Sequence, residues 1–319
     1  MEIISNPTQG EIKKAAKALK DGHLVAFPTE TVYGLGADAT NEKAVSRIYS
    51  VKGRPTDHPL IVHISSINQL DKWAIQIPEY ATNLAEEFWP GPMTLIVKKS
   101  NLAKDFITGG QDNIGLRVPD QPEALKLLSE FEKLGGLGIS APSANRFGAV
   151  SPTTSQHVRE EIGKYFTKKD LIIDGGQCKI GVESTIIDCT SNFPVILRPG
   201  YITLEMIRKI ISINVNLGTG QSDIKSPGNL KYHYSPKAKI IISPSAKAGE
   251  GFIAMSNILT LENVIRLASP TTVGDYAAEL YSALRRGDEL GIKVISICPP
   301  HGDGLALAIR DRIYKAAGI

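Results

Sequence analysis

Cysteine is scarce in this chain. Three occur in 319 residues, Cys178, Cys189 and Cys298, an odd number with no C-x-x-C spacing. A disulfide framework and a zinc site are both unexpected, and a reducing cytoplasm is the simplest setting. An excess of either charge is also lacking. Lys and Arg number 36 against 33 Asp and Glu, leaving a net charge of +3, and no Lys/Arg run extends beyond isolated pairs. That does not indicate a protein that binds nucleic acid through bulk charge. No apolar run approaches the roughly 18 residues of a membrane span. Residues 1–7 lack the basic start and apolar core of a signal peptide. There is no G-x-S-x-G elbow and no H-E-x-x-H pair, which argues against a serine hydrolase and a zincin.

The apolar share of 42% and charged share of 22% suit a globular protein, and the length suits about two domains. Thr8-Gln-Gly-Glu11 reads as a capping box ahead of a helix with Ile12, Ala15, Ala16 and Leu19 on one face, stopped at Gly22. Asn41 can cap a second helix, and residues 78–88 repeat the helical spacing up to Pro90-Gly91. Strands are expected over 24–27, 60–64, 94–97, 114–118, 137–141, 171–174, 184–188 and 195–198, followed by a helix over 203–212. Strands mixed irregularly with helices argue for an α/β or α+β sheet with helices packed on it. Residues 213–236 are rich in Gly, Ser and Pro without periodicity, so they read as a linker or a functional loop. Beyond it, strands over 239–242, 251–255 and 293–297, with helices over 276–286 and 305–317, make a small second α/β domain.

Two polar clusters stand out. Lys52-Gly53-Arg54-Pro55 puts two cations on a glycine-proline turn, read as either a phosphate clamp or a solvated basic turn. Ser140-Ala-Pro-Ser143-Ala-Asn145 offers hydroxyls, an amide and backbone N–H groups, read as either an anion cradle or an ordinary turn. Thr29, Glu30 and Thr31 follow a strand, where α/β proteins often contact ligand; alternation separates the two threonines from Glu30. Gly34-Leu-Gly36-Ala-Asp-Ala39 mimics a dinucleotide fingerprint in the wrong context: six residues separate it from the strand ending at Phe27, and no suitably spaced acid follows.

In order and spacing, the blocks P-T-E-T-V-Y-G-L-G, K-G-R-P-x-x-x-P-L-I-V-H, G-P-M-T, G-L-R-V-P, S-A-P-S-A-N, G-V-E-S-T-I and L-R-P-G cover Pro28 to Gly200. They resemble the YrdC-like family. Ser226-Pro-Gly228 and His233-Tyr234-Ser235-Pro236 resemble the added element of its two-domain members, the L-threonylcarbamoyladenylate synthases. The resemblance implies a YrdC-like twisted mixed sheet with flanking helices over 1–212, a linker acting as active-site lid over 213–236, and a smaller Rossmann-like α/β domain over 237–319. It implies that L-threonine, bicarbonate and ATP, with Mg²⁺, give threonylcarbamoyl-AMP and pyrophosphate. A separate tRNA threonylcarbamoyl transferase complex would use the product. By similarity, Lys52 and Arg54 serve the reacting centre. Arg54, His58, Asn113, Ser143, Asn145, Ser151, Arg198 and Tyr234 contact ATP, and Thr31, His63, Arg117 and Ser184 hold threonine. His58 stands where the family usually has Asn, and the linker lacks the family's Arg before His233-Tyr234.

Two other readings compete. An RNA-binding module would use a basic concave face; without Lys/Arg runs, no more than a weak RNA contact is expected. A relative that uses carbamoyl phosphate would carry acylphosphatase-like and zinc-finger segments, which this chain lacks.

Overall fold

The computed structural model describes residues 1–218 and 233–319. The Ser226–Gly228 element of the expected lid lies outside the described residues, whereas His233 and Tyr234 lie within them. The first helix, Gln9–Lys20, starts at the Thr8–Glu11 capping box and buries Ile12, Ala15, Ala16 and Leu19. The second, Glu42–Lys52, is capped by the Asn41 side chain.

Among the described residues, eleven strands form one sheet. Its order is Glu2–Ser5, Leu171–Asp174, Val25–Phe27, Gly34–Asp38, Ile139–Ser140, Ile61–His63, Asn113–Arg117, Met93–Lys98, Thr185–Asp188, Val195–Arg198 and Asn216–Leu217. Parallel pairs such as Ile61–His63 with Asn113–Arg117 alternate with antiparallel ones such as Met93–Lys98 with Asn113–Arg117. The sheet is therefore mixed. A second sheet, Lys239–Ile242, Val294–Ile297, Gly251–Ile253 and Ile265–Ala268, is parallel throughout. Helices Val273–Glu289 and Leu305–Ala317 accompany it.

Some local expectations change. Lys52 ends a helix instead of lying on an open turn, and Gly53 closes that helix with φ of 62°, a conformation glycine adopts at little cost. The glycine-rich stretch Gly34–Asp38 is a fully buried strand antiparallel to Val25–Phe27. Helix Pro122–Lys133 was not anticipated. Pro122 opens it, where the missing N–H costs nothing, and Gln121 caps it from the side chain.

This topology brings strand ends together. Val25–Phe27, Ile61–His63, Asn113–Arg117, Ile139–Ser140 and Val195–Arg198 all finish, and Thr185–Asp188 starts, beside one cavity. The second domain packs close by. Val32, Val150, Val182 and Tyr234 share one apolar cluster with Ile240, Ile253, Leu280, Tyr281 and Ile295.

Asp170 fastens the far side of the large sheet. Its buried carboxylate accepts from Arg47 Nη1 and Nη2 at 2.8 and 2.6 Å and from the backbone N–H of Leu24 and Thr167 at 2.8 and 2.5 Å. Burial alone would raise its pKa; the Arg47 and backbone bonds outweigh that and hold it below the ordinary value. Asp170→Ala is expected to cost about 3 kcal/mol, measured by urea unfolding. A loss below about 1 kcal/mol, the range of an exposed pair, would contradict this role.

Candidate functional site

Lys52 Nζ reaches across to the 140–146 loop and donates to the carbonyls of Ser143 at 2.5 Å and Asn145 at 2.7 Å. An ammonium has three donors, so one remains for a ligand. Burial, and next the neighbouring Arg54 charge, push the Lys52 pKa well down. Arg54 donates from Nη2 to Pro59 O at 3.0 Å, and its guanidinium carbon lies 5.6 Å from the Phe147 ring centroid. Burial lowers its pKa to about 10. Arg198, at the end of its strand, donates to Ser184 O and Ser184 Oγ, each at 3.0 Å. Arg117 donates to Thr31 Oγ1 at 3.0 Å and to Gly91 O at 3.3 Å, and it pairs with Glu30 at 2.6 Å. Alternation therefore separates the neighbours as expected: Thr29 and Thr31 line the cavity while Glu30 pairs with Arg117.

Together these groups line one cavity, about 660 Å³ with its open mouth included. Several buried polar atoms on its wall have no hydrogen-bond partner among the described residues: Arg54 Nε, His63 Nδ1, Asn145 Oδ1, His233 Nδ1 and Tyr234 Oη. Such atoms are costly unless a ligand or water satisfies them. Burial lowers the pKa of both His63 and His233 to about 3, so both imidazoles are neutral at ordinary pH.

Glu183 is the one carboxylate on the wall, and it is already engaged. It accepts from Arg312 Nε at 2.8 Å, Ser151 Oγ at 2.6 Å and Tyr281 Oη at 3.0 Å. Burial would raise its pKa; the Arg312 and Arg198 charges outweigh that and hold it at about 2. Among the described residues, no group of three or more His, Cys, Asp or Glu is placed to hold a metal. The donor set on this wall does not fit a resident magnesium ion.

Of the thirteen site residues expected from the sequence, ten line this cavity: Thr31, Lys52, Arg54, His63, Arg117, Ser143, Asn145, Ser184, Arg198 and Tyr234. The other three lie off its wall. Ser151 is turned to Glu183. His58 packs edge-on against Phe147, with ring centroids 5.3 Å apart. Asn113 borders a small adjoining crevice with Ile96, Gly115 and Ile186; Ile61 lines both spaces. Sequence reasoning assigned no role here to Phe147, Glu183 or His233. Phe147 stands two residues past Asn145, and the other two lie inside blocks already singled out, so their proximity was the available signal.

A family model described as "Telomere recombination" matches residues 17–200, and one described as "Threonylcarbamoyl-AMP synthase, C-terminal domain" matches residues 202–318. The threonylcarbamoyl-AMP synthase of Pyrococcus abyssi is 43% identical, over 97% of this chain and 94% of its own length. The chain belongs to the threonylcarbamoyl-AMP synthase family. A second member, from Bacillus subtilis, is 40% identical over 99% of this chain and 95% of its own length. The crystal structure of P. abyssi Sua5 complexed with L-threonine matches with a TM-score of 0.90 at 40% identity, covering 100% of this chain and 98% of that one. The family's two-domain, mixed α/β architecture is the one found here. Among the described residues no helix is long and apolar enough to cross a membrane.

The Glu183 carboxylate carries a pH signature. Its folded pKa of about 2 lies below the ordinary 4.5. The stabilisation it supplies is therefore present above pH 4.5 and is lost as pH falls toward 2. Thermal melts of wild type and Glu183→Gln should differ most at neutral pH, begin to approach each other below about pH 4.5, and converge only as pH nears 2. A gap that stays constant down to pH 2.5 would contradict this.

Proposed function

We propose that this chain makes threonylcarbamoyl-AMP and pyrophosphate from L-threonine, bicarbonate and ATP. Family membership over nearly the whole length supports the reading. The observation that carries it is the convergence, in one cavity, of four cations with neutral donors and unpartnered polar atoms. The threonine amine attacks bicarbonate, a C–N bond forms, and water leaves to give a carbamate. A carbamate oxygen then attacks the α-phosphorus of ATP; the new P–O bond forms as the bond to pyrophosphate breaks. No enzyme nucleophile is required. The protein holds three reactants in line and balances phosphate charge.

In this reading Lys52, Arg54 and Arg198 face the phosphates, with Ser143 and Asn145 beside them. Arg117, Thr31, His63 and Ser184 hold threonine; Arg117 keeps Glu30 as partner and offers its remaining donors to the threonine carboxylate. Asn113, beside the adjoining crevice, is placed with the nucleotide in the same reading. Tyr234, at the rim of the second domain, covers the nucleotide and keeps water from the mixed anhydride. ATP enters as its magnesium complex, the ion held by phosphate and water. The product passes to a transferase complex that modifies tRNA.

Pyrophosphate release should require threonine, bicarbonate and ATP together, and Arg54→Ala should lower kcat/KM for ATP roughly 100-fold. A folded protein that releases no pyrophosphate from the complete mixture, or releases it without threonine, would sink the reading.

A further inference from the structure

Two side chains of the second domain, Tyr281 from Val273–Glu289 and Arg312 from Leu305–Ala317, touch residues of the cavity wall from behind it. Arg312 is fully buried. Beyond its bond to Glu183, it donates from Nη2 to Pro199 O at 3.1 Å and pairs through Nη1 with Asp311 at 2.5 Å. Its guanidinium carbon lies 5.3 Å from the ring centroid of Tyr234. Tyr281 makes the same two connections: its hydroxyl donates to Glu183, and its ring stacks on Tyr234 at 5.6 Å and 24°. Each residue thus touches both Tyr234 and Glu183, which stand on the cavity wall.

Two features make this more than ordinary packing. Tyr234 has φ of 63°, a left-handed backbone that a tyrosine keeps only when its surroundings impose it. Among the described residues its hydroxyl has no partner, and there the ring is placed by contacts on its faces. The adjoining backbone is tied down as well, with Ser235 N–H donating to Gly148 O at 2.9 Å. Glu183 immediately precedes Ser184, whose hydroxyl and carbonyl both receive Arg198. Within the first domain, the described residues give Glu183 only the Ser151 hydroxyl as a direct hydrogen-bond donor. Arg312 of the second domain, with the Arg198 charge beside it, supplies the compensation that makes its burial tolerable.

We propose that Arg312 is a positioning residue: it holds Tyr234 over the cavity and, through Glu183, fixes the wall that carries Ser184 and Arg198. The second domain is then a working part of the site and not an appendage. Only the activity arm of the test rests on the function proposed above.

The variant is Arg312→Lys, which keeps the charge and loses the planar fork. In the protein without ligands, amide hydrogen exchange of His233–Ser235 should rise about 10-fold while strand Met93–Lys98 is unchanged. In pyrophosphate release, kcat/KM for ATP should fall roughly 30-fold in the wild-type background but less than about 2-fold where Tyr234→Ala is already present. Equal losses in both backgrounds, or faster exchange throughout the large sheet, would reduce Arg312 to a general stability role and overturn the proposal. If Arg312→Lys does not fold, Glu183→Gln combined with Arg312→Gln removes both buried charges and faces the same two readouts. Wild-type protein that releases no pyrophosphate refutes the proposed reaction, while the exchange arm still decides the role of Arg312.

Discussion

Main-chain carbonyls hold the cations of this cavity in place. Lys52 is gripped by Ser143 and Asn145, Arg54 by Pro59, Arg117 by Gly91 and Arg198 by Ser184. A carbonyl is a neutral dipole; it orients an ammonium or guanidinium without cancelling its charge. Arg117 also has an acidic partner, Glu30. The pocket therefore stays positive while its groups stay fixed, and this preorganisation favours a polyphosphate and the charge that builds as pyrophosphate leaves. The sheet topology serves this end, because the carbonyls come from loops at adjoining strand ends.

The same constraint explains the low pKa values. Burial strips hydration from these cations, and neighbouring positive charges add to the effect, so Lys52, Arg54 and Arg198 are all shifted down. An arriving nucleotide relieves both effects. Glu183 does not compete for that role, since Arg312, Ser151 and Tyr281 occupy its oxygens. It acts as a joint between the domains.

Much of this was legible in the sequence because the information is local. The Thr8 capping box, the Asn41 cap and the apolar runs at 171–174 and 195–198 fix their elements without tertiary help. Lys52, Arg54, Ser143 and Asn145 stood out because short polar blocks on a glycine-proline frame have few other uses. Helix Pro122–Lys133 was hidden by a proline that opens a helix as readily as it breaks one. The strand Gly34–Asp38 was hidden by two glycines; a side chain at Gly36 would run into Phe27 and Ile139. The links from Tyr281 and Arg312 to Glu183 span 98 and 129 residues, and no periodicity encodes a contact of that range. Ser151 shows a related limit: the sequence marks a polar residue near the site, but only the fold shows its hydroxyl bonded to Glu183.

In the proposed reaction, carbon from bicarbonate becomes joined to both threonine and AMP in this one cavity. The direct measurement is mass spectrometry of the reaction with isotopically labelled bicarbonate, threonine and ATP. One labelled carbon in a product that contains both threonine and AMP is the expected result. AMP or pyrophosphate formed without a labelled adduct, under conditions where the adduct survives, would contradict the account.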